Sequence, residues 1–538
     1  MVHDEQTESP YSREDFLFGI LRSNAEKSPK ATALRFKGDR ISYHELVDLI
    51  STFGDTLASI GTRKTSRIAA LLPNCPEALI VAFSTIEAGA IFVPINPLYR
   101  PRQTIHVLDD CSASLLVTTR YLFAQIADRC RHLPSLKTVV FIDSSDYPQP
   151  SDSRWETLDW SDTAPPHDFS AHQPATDLQP SDPAVIFYTS GSSGRAKGVT
   201  ISHKNLLDGA RIVSGYLGNS RRDRVLAALP LSFDYGFSQA TTMLFTGGEL
   251  VLTNYTLPRT LLSELAESRA TGLAGVPTMW AQLAKHKWPS TIADHLRYVT
   301  NSGGRLPANV LCDLRSRLPD TRIYLMYGLT EAFRSSYLDP ALVDELPDSI
   351  GQAIPEVDLH VVRPDGSLCD DNEPGELVHT GALVALGYWN NEEATQRRYR
   401  PFGESGTAVW SGDIVTRNKD GYLFFVERAD NMIKCSGYRI SPTEIEETIH
   451  ESGLVEHVAA IGIPDPSSGQ KIGLVIVPKS AHDETDFAIR HVCAMELPPY
   501  MQPDEIVILE KLLLSANGKP DRVALAKLFN SPQRLGDD

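Results

Sequence analysis

Tyr188-Thr189-Ser190-Gly191-Ser192-Ser193-Gly194-Arg195-Ala196-Lys197-Gly198-Val199 is the stretch whose reading decides the fold. It follows Ala184-Val185-Ile186-Phe187, a short apolar run of strand type. It leads through Val199-Thr200-Ile201-Ser202, a second strand, into His203-Lys204-Asn205-Leu206-Leu207, where a helix is expected to open. Three glycines, four small hydroxyl residues and a lysine in one loop suit phosphate. Glycine lets backbone N–H groups approach oxygens closely at φ > 0, the hydroxyls add donors, and Lys197 adds a point charge. The same composition also suits a plain flexible loop. A Walker-type P-loop needs glycine directly before its lysine and Ser or Thr directly after, where this chain has Ala196 and Gly198.

Upstream, residues 14–60 read as helix, strand pair and helix. Strand and helix then alternate: 67–72 strand, 77–88 helix, 91–95 strand, 102–111 helix, 114–118 strand, the rhythm of a parallel, helix-covered sheet. Between Asp146 and Pro183 seven prolines sit among Ser, Asp and Thr, a surface connector leading to the loop. Downstream, 225–229, 249–252, 272–276, 298–300 and 323–326 read as strands with helices between. Residues 350–425 change to short strands with turns such as Pro364-Asp365-Gly366 and Lys419-Asp420-Gly421. After Arg428 comes a small α+β piece, with helices at 444–451 and 486–496 and strands at 458–463 and 473–477. The expected fold class is α/β. A large multi-lobed N-terminal region, residues 1–429, has βαβ-type sheets and a small barrel-like β piece, and a small mobile α+β C-terminal domain follows at 430–538.

Of 538 residues, 42% are hydrophobic and 22% charged, ordinary values for a globular protein and too apolar for disorder. A formal charge of -17 argues against nucleic acid as a partner, because displacing counterions from phosphates takes an excess of Lys and Arg. Seven scattered cysteines without C-x-x-C read as reduced thiols, and the polar, acidic start is unlike a signal peptide. The longest apolar stretch, 68–93, is broken by Pro73, Asn74, Pro76 and Glu77, so no membrane span is expected and the location is expected to be cytoplasmic.

Several short motifs carry chemistry. Gly303-Gly304-Arg305-Leu306-Pro307 puts a glycine pair between a strand and a helix, which alone is a turn. In Met326-Tyr327-Gly328-Leu329-Thr330-Glu331-Ala332, Tyr327 can lie on a purine face, Thr330 can bind a phosphate oxygen and Glu331 can hold a divalent cation. A strand-to-helix turn capped by Thr330 and Glu331 is the structural alternative. Ser411-Gly412-Asp413, Glu427-Arg428-Ala429-Asp430, the run Ile433-Lys434-Cys435-Ser436-Gly437-Tyr438-Arg439-Ile440-Ser441-Pro442, and Ser515-Ala516-Asn517-Gly518-Lys519-Pro520 follow. A carboxylate accepts well from ribose hydroxyls, and a lysine near the C-terminus can swing into a site when a lid closes.

In this order the motifs resemble the full series of the adenylate-forming superfamily, which includes acyl-CoA synthetases, nonribosomal peptide synthetase adenylation domains and firefly luciferase. The resemblance spans Glu14 to Lys519. It implies ATP and Mg²⁺ as cofactors, with Thr189, Ser190, Gly191, Ser192, Ser193, Gly194 and Lys197 on the phosphates and Gly303, Gly304 and Tyr327 around the adenine. It further implies that Thr330 and Glu331 hold phosphate and metal, that Asp413 and Arg428 contact the ribose, and that Asp430 is a hinge. Lys519 would bridge the carboxylate and the α-phosphate. Lys434, Gly437 and Tyr438 would face the site after the lid rotates to admit a pantetheine thiol. Charge cancellation and alignment suffice for attack of a carboxylate on an anionic phosphate, and no nucleophilic Ser or Cys is needed.

Leu229-Pro230-Leu231-Ser232-Phe233-Asp234-Tyr235-Gly236 bears on the substrate. Many acyl-CoA synthetases resembling this chain carry His where Phe233 stands, whereas amino-acid-activating domains carry Phe-Asp, the Asp pairing with the substrate ammonium. Those domains usually have Ser where Gly236 stands. Arg334 either binds a second carboxylate of the substrate or makes a structural ion pair. Residues 326–336 and 233–236 also resemble acyl ligases found beside exosortase and carrier-protein genes. The expected function is adenylation of a small carboxylic acid, chosen as an amino acid on the strength of Asp234, and transfer to the phosphopantetheine of a free acyl or peptidyl carrier protein. Coenzyme A is the alternative acceptor, favoured by the wording Ser441-Pro442, and a nucleotide-binding protein without catalysis is the alternative of another class.

Overall fold

The computed structural model describes residues 11–143, 154–163, 177–189, 195–404, 406–428, 432–465, 468–479, 485–513 and 520–530. Three sheets organise them. In the largest, Glu249–Leu252, Arg224–Ala227, Gly272–Gly275, Tyr298–Asn301 and Arg322–Tyr327 lie side by side in parallel. Their sequences are continuous apolar runs, as strands covered by helices on both faces require. Beyond Tyr327 the same sheet turns antiparallel through Ser336–Leu338, Ser349–Ala353, Leu423–Arg428, Thr407–Arg417, Gly375–Gly381 and Val357–Val362. The small β piece expected over 350–425 is this antiparallel end.

The second sheet holds the opening stretch. Pro183–Thr189 pairs antiparallel with Lys197–Ser202, in a register that sets Thr189 opposite Lys197. Thr189 and Lys197 thus bracket the glycine-rich stretch from opposite strands. On the other side the sheet continues in parallel through Ile91–Ile95, Arg67–Leu71, Leu115–Thr118 and Thr138–Phe141. The proline-rich connector is more than a connector: Glu156–Asp159 adds an edge strand beside Thr138–Phe141. The two sheets share one core. Phe237, on the helix Asp234–Thr246, touches Phe83, Phe92 and Phe187 at ring-centroid distances of 6.5, 6.1 and 5.7 Å, which fixes the start of that helix against both layers.

The small third sheet comprises Tyr438–Ile440, Ile433–Cys435, Gly469–Pro478, Val455–Asp465 and Glu505–Ile508. It buries Ile445, Ile449, Ile472, Leu474, Ile476 and Ile489 against the helices Pro442–Glu451 and Thr485–Glu496. A large N-terminal unit and a small C-terminal one result. They meet along the helix Pro101–Asp110, where Arg102 donates to Thr448 and Glu451 and Gln103 donates to Glu444 at 3.2 Å. Tyr438 stacks on Tyr500 at 3.8 Å beside that contact. All seven cysteines are free, and no helix among the described residues is long and apolar enough to cross a membrane.

Candidate active site

The parallel strands Arg224–Ala227, Gly272–Gly275, Tyr298–Asn301 and Arg322–Tyr327 all end on one edge, and ligands of open α/β sheets collect at such carboxyl ends. The loops leaving them carry Phe233 and Asp234, Ser302 to Gly304, and Gly328 to Arg334. Two neighbouring cavities form there. One, about 380 Å³, is lined by Gly303, Gly304, Tyr327, Ile350 and Phe425. The other, about 110 Å³, is walled by Thr189, Phe233, Asp234, Thr330, Arg334 and, from the small unit, Gly437 and Tyr438. Gly303, Gly328 and Lys434 line both. The small unit approaches through a glycine because nothing larger fits: Gly437 has φ +83°, and a Cβ there would lie 2.8 Å from Val276.

Asp413 and Arg428 are direct partners across two antiparallel strands. Arg428 Nη1 donates to Asp413 Oδ1 at 2.6 Å, and the Tyr327 hydroxyl donates to Oδ2. Burial would raise the Asp413 carboxyl, but Lys434, Arg428, Arg439 and the Tyr327 hydroxyl outweigh it and hold it below its usual range. It is an ionised acceptor at neutral pH.

Glu331 lies in the 3₁₀ turn Thr330–Ala332. Its Oε1 accepts from the Tyr388 hydroxyl at 2.7 Å, and Arg398 and Arg439 stand 3.7 and 3.9 Å from the carboxylate. Burial works to raise its pKa, yet these cations and the hydroxyl bring it down to about 2. Its Oε2 is buried and accepts no hydrogen bond. An ionised oxygen without a protein donor fits a hard divalent cation, which takes one or two carboxylates and completes its shell with phosphate oxygens and water. No group of three or more His, Cys, Asp or Glu suited to a metal occurs among the described residues, so an all-protein cage is not what this site offers. Lys197 stands with its Nζ 5.4 Å from the Tyr388 ring centroid, its pKa lowered by burial and by Arg397 and Arg398.

Asp234 and Arg334 meet. Arg334 Nη1 lies 3.4 Å from Asp234 Oδ2 and donates to the Phe333 carbonyl at 2.6 Å, while Nε and Nη2 have no hydrogen-bond partner. Both side chains are about 5% exposed or less. Phe333 has φ 50° and ψ -50°, with Arg334 N bonded to Ala332 O, a tight γ-turn rarely adopted by a bulky residue. Its fully buried ring holds that turn, packed where a Cβ on Gly209 would lie only 2.5 Å away. Gly236 is equally constrained: a Cβ there would sit 2.0 Å from the Pro230 carbonyl oxygen, so this backbone has no room for the serine of amino-acid-activating domains.

The structure thus gathers Thr189, Phe233, Asp234, Gly303, Thr330, Arg334, Asp413, Arg428, Lys434, Gly437 and Tyr438 around one cavity, with Gly304 and Tyr327 in the cavity beside it. Ser190, Gly191, Ser192, Ser193, Gly194, Asp430 and Lys519 lie outside the described residues. Sequence reasoning missed Tyr388 and Arg398, which hold Glu331, and Tyr99 and Tyr500, which close the cavity. The only local signals for the first pair were Gly387-Tyr388 and the adjacent Arg397-Arg398.

A family model described as "AMP-binding enzyme" matches residues 21–389, and one described as "AMP-binding enzyme C-terminal domain" matches 444–519. The chain is 31% identical over 506 residues to a feruloyl-CoA synthase of Amycolatopsis sp, covering 92% of this chain and 95% of that one. It is 28% identical over 523 residues to tyrocidine synthase 3 of Brevibacillus parabrevis, covering 96% of this chain and 8% of that far longer one. The amide bond synthetase McbA from Marinactinospora thermotolerans has the same fold, with a TM-score of 0.84 over 95% of this chain and 99% of that one at 22% identity.

Proposed function

The chain belongs to the AMP-binding enzyme family and is an AMP-forming ligase, and from that premise we propose that it adenylates a compact carboxylic acid and passes the acyl group to the thiol of coenzyme A. The observation that carries this reading is the cavity in which Thr330, Asp413 and Arg428 of the large unit face Gly437 and Tyr438 of the small one. Nucleotide groups and a thiol carrier would meet there.

The wider cavity takes the adenine against Gly303, Gly304 and Tyr327, and Asp413, fixed by Arg428 and Tyr327, accepts from the ribose hydroxyls. Thr189 and Lys197, opposite each other on the paired strands, serve the phosphates, as do Ser190 to Gly194 between them. Thr330 donates to a phosphate oxygen. Enzymes of this family use ATP with Mg²⁺, and Glu331 Oε2 would hold the metal, which neutralises phosphate charge during attack by the carboxylate. Lys519 is assigned the bridge between acid and α-phosphate, Asp430 the hinge, and 1–429 and 430–538 the two units. In the arrangement described here the small unit presents Lys434, Gly437 and Tyr438 to the cavity, which suits the thiol-accepting half of the reaction. Seven unpaired cysteines suit a cytoplasmic location.

The reading departs from the sequence expectation on two points, the amino acid as substrate and the carrier protein as first acceptor. A carrier protein as acceptor follows from an Asp234 free to bind an ammonium, but Arg334 already supplies its cation. An amino group beside that guanidinium meets a second positive charge instead. Coenzyme A therefore comes first as acceptor, in line with the feruloyl-CoA synthase that the chain matches over 92% of its length. Acid-dependent exchange of labelled pyrophosphate into ATP tests the first half-reaction. Exchange that requires an acid sustains the reading, and background exchange with every acid, or exchange with none added, contradicts it.

A further inference from the structure

A guanidinium inside a protein has five N–H groups to satisfy, and leaving them unmet in a low-dielectric site is costly. Arg334 meets only part of that need. Asp234 engages it through one nitrogen at 3.4 Å, the long limit of a hydrogen bond, and the Phe333 carbonyl takes the same nitrogen. Nε and Nη2 together form one planar edge of the group, and both are buried and unpartnered. That edge is the fork that receives the two oxygens of a carboxylate in parallel.

The surroundings favour an anion there. The guanidinium lies over the rings of Tyr235 and Phe333, at 4.9 and 5.4 Å, so its plane is fixed and little water screens it. Arg334 lines the cavity that also holds Thr330, and a further cavity of about 30 Å³ behind it, room for one small polar group. The strained turn at Phe333 holds the side chain in place without any contribution from a bound molecule. Burial, the largest influence on Asp234, raises its carboxyl against the pull of Arg334, and its single contact leaves the Nε–Nη2 edge open.

We infer that the acid activated by this enzyme is a compact dicarboxylic acid, its second carboxylate held by the Nε–Nη2 edge of Arg334 while the first faces Thr330. The inference rests on the adenylating role proposed above for the same cavity. Arg334 is in these terms a specificity-determining residue, and Asp234 tunes it.

The test compares matched acids with and without the second carboxylate: succinate against butyrate, glutarate against pentanoate, phthalate against benzoate. Pyrophosphate release should favour the dicarboxylate of at least one pair by about ten- to a hundredfold in kcat/KM, the worth of a charge-assisted bidentate contact. Arg334→Gln should collapse that ratio toward one. Asp234→Asn, which keeps the guanidinium and removes its competitor, should raise it and serves if Arg334→Gln does not fold. Calorimetric titration of the same acids into the enzyme with a non-hydrolysable ATP analogue reads recognition without chemistry. Dicarboxylate-selective binding without pyrophosphate release would sustain the carboxylate subsite on Arg334 and sink the adenylating role. A ratio near one in every pair, in both turnover and binding, or a preference that survives Arg334→Gln, overturns the inference.

Discussion

Glu331, the residue proposed to hold the metal, has two oxygens in different surroundings. One oxygen is tied by Tyr388 and stands near Arg398, and the other stands near Arg439 but accepts no hydrogen bond. Glu331→Gln should lower kcat/KM for adenylation by about a hundred- to a thousandfold with Mg²⁺ present, as measured by pyrophosphate release. Because its pKa falls from 4.5 to about 2 on folding, the ionised form contributes stability above 4.5 that is lost as pH falls toward 2. Urea midpoints taken between neutral pH and pH about 3 should therefore drop more for the native enzyme than for Glu331→Gln; equal drops would contradict the assigned charge. Gly209→Ala should push on the Phe333 ring, costing about 1–3 kcal/mol in a denaturant titration. Glu331 was legible in the sequence because a carboxylate beside Thr330 at a strand end is a local pattern. The Arg334–Asp234 pair was only half legible, since its members are 100 residues apart and the γ-turn that aims Arg334 depends on a glycine in another helix.

At the scale of elements, the paired strands Pro183–Thr189 and Lys197–Ser202 and the helix behind them form the side of the site proposed for the phosphates. Ser202 caps the helix His203–Leu217: its Oγ accepts from Asn205 N at 3.1 Å while Asn205 Oδ1 accepts in return. Asn205 also donates to the carbonyls of Ala382 and Val384, and the next residue, Ala385, bonds to the Glu331 carbonyl. Ser202→Ala should thus cost about 0.5–2 kcal/mol in a chemical denaturation series, and a neutral result would show that the cap is redundant. Most elements were legible because their apolar periodicity is local: 249–252 and 91–95 match the observed strands residue for residue. The edge strand Glu156–Asp159 was not, because its pattern is half exposed and only pairing with Thr138–Phe141 selects it.

In the whole molecule the small unit rests on Pro101–Asp110 through a buried carboxyl. Glu444 accepts from Gln103, with Arg102, Glu447, Tyr99 and Tyr500 around it, and burial raises its pKa from 4.5 to about 7 against the opposing pull of Gln103 and Arg102. The docked arrangement holds the proton more tightly, so docking should weaken as pH rises toward and through about 7 and level off above. Energy transfer between dyes on the two units should follow that curve in the native enzyme and stay flat in Glu444→Gln; a parallel response in both would place the titration elsewhere. The existence of the small unit was legible from the change of pattern after Arg428, but its seat was not, since contacts such as Gln103 to Glu444 join residues 341 apart. Incubation with MgATP, coenzyme A and a panel of small acids, with products resolved by mass, should yield AMP and an acyl-CoA together. ADP as the nucleotide product, or AMP without any thioester, would contradict the proposed function.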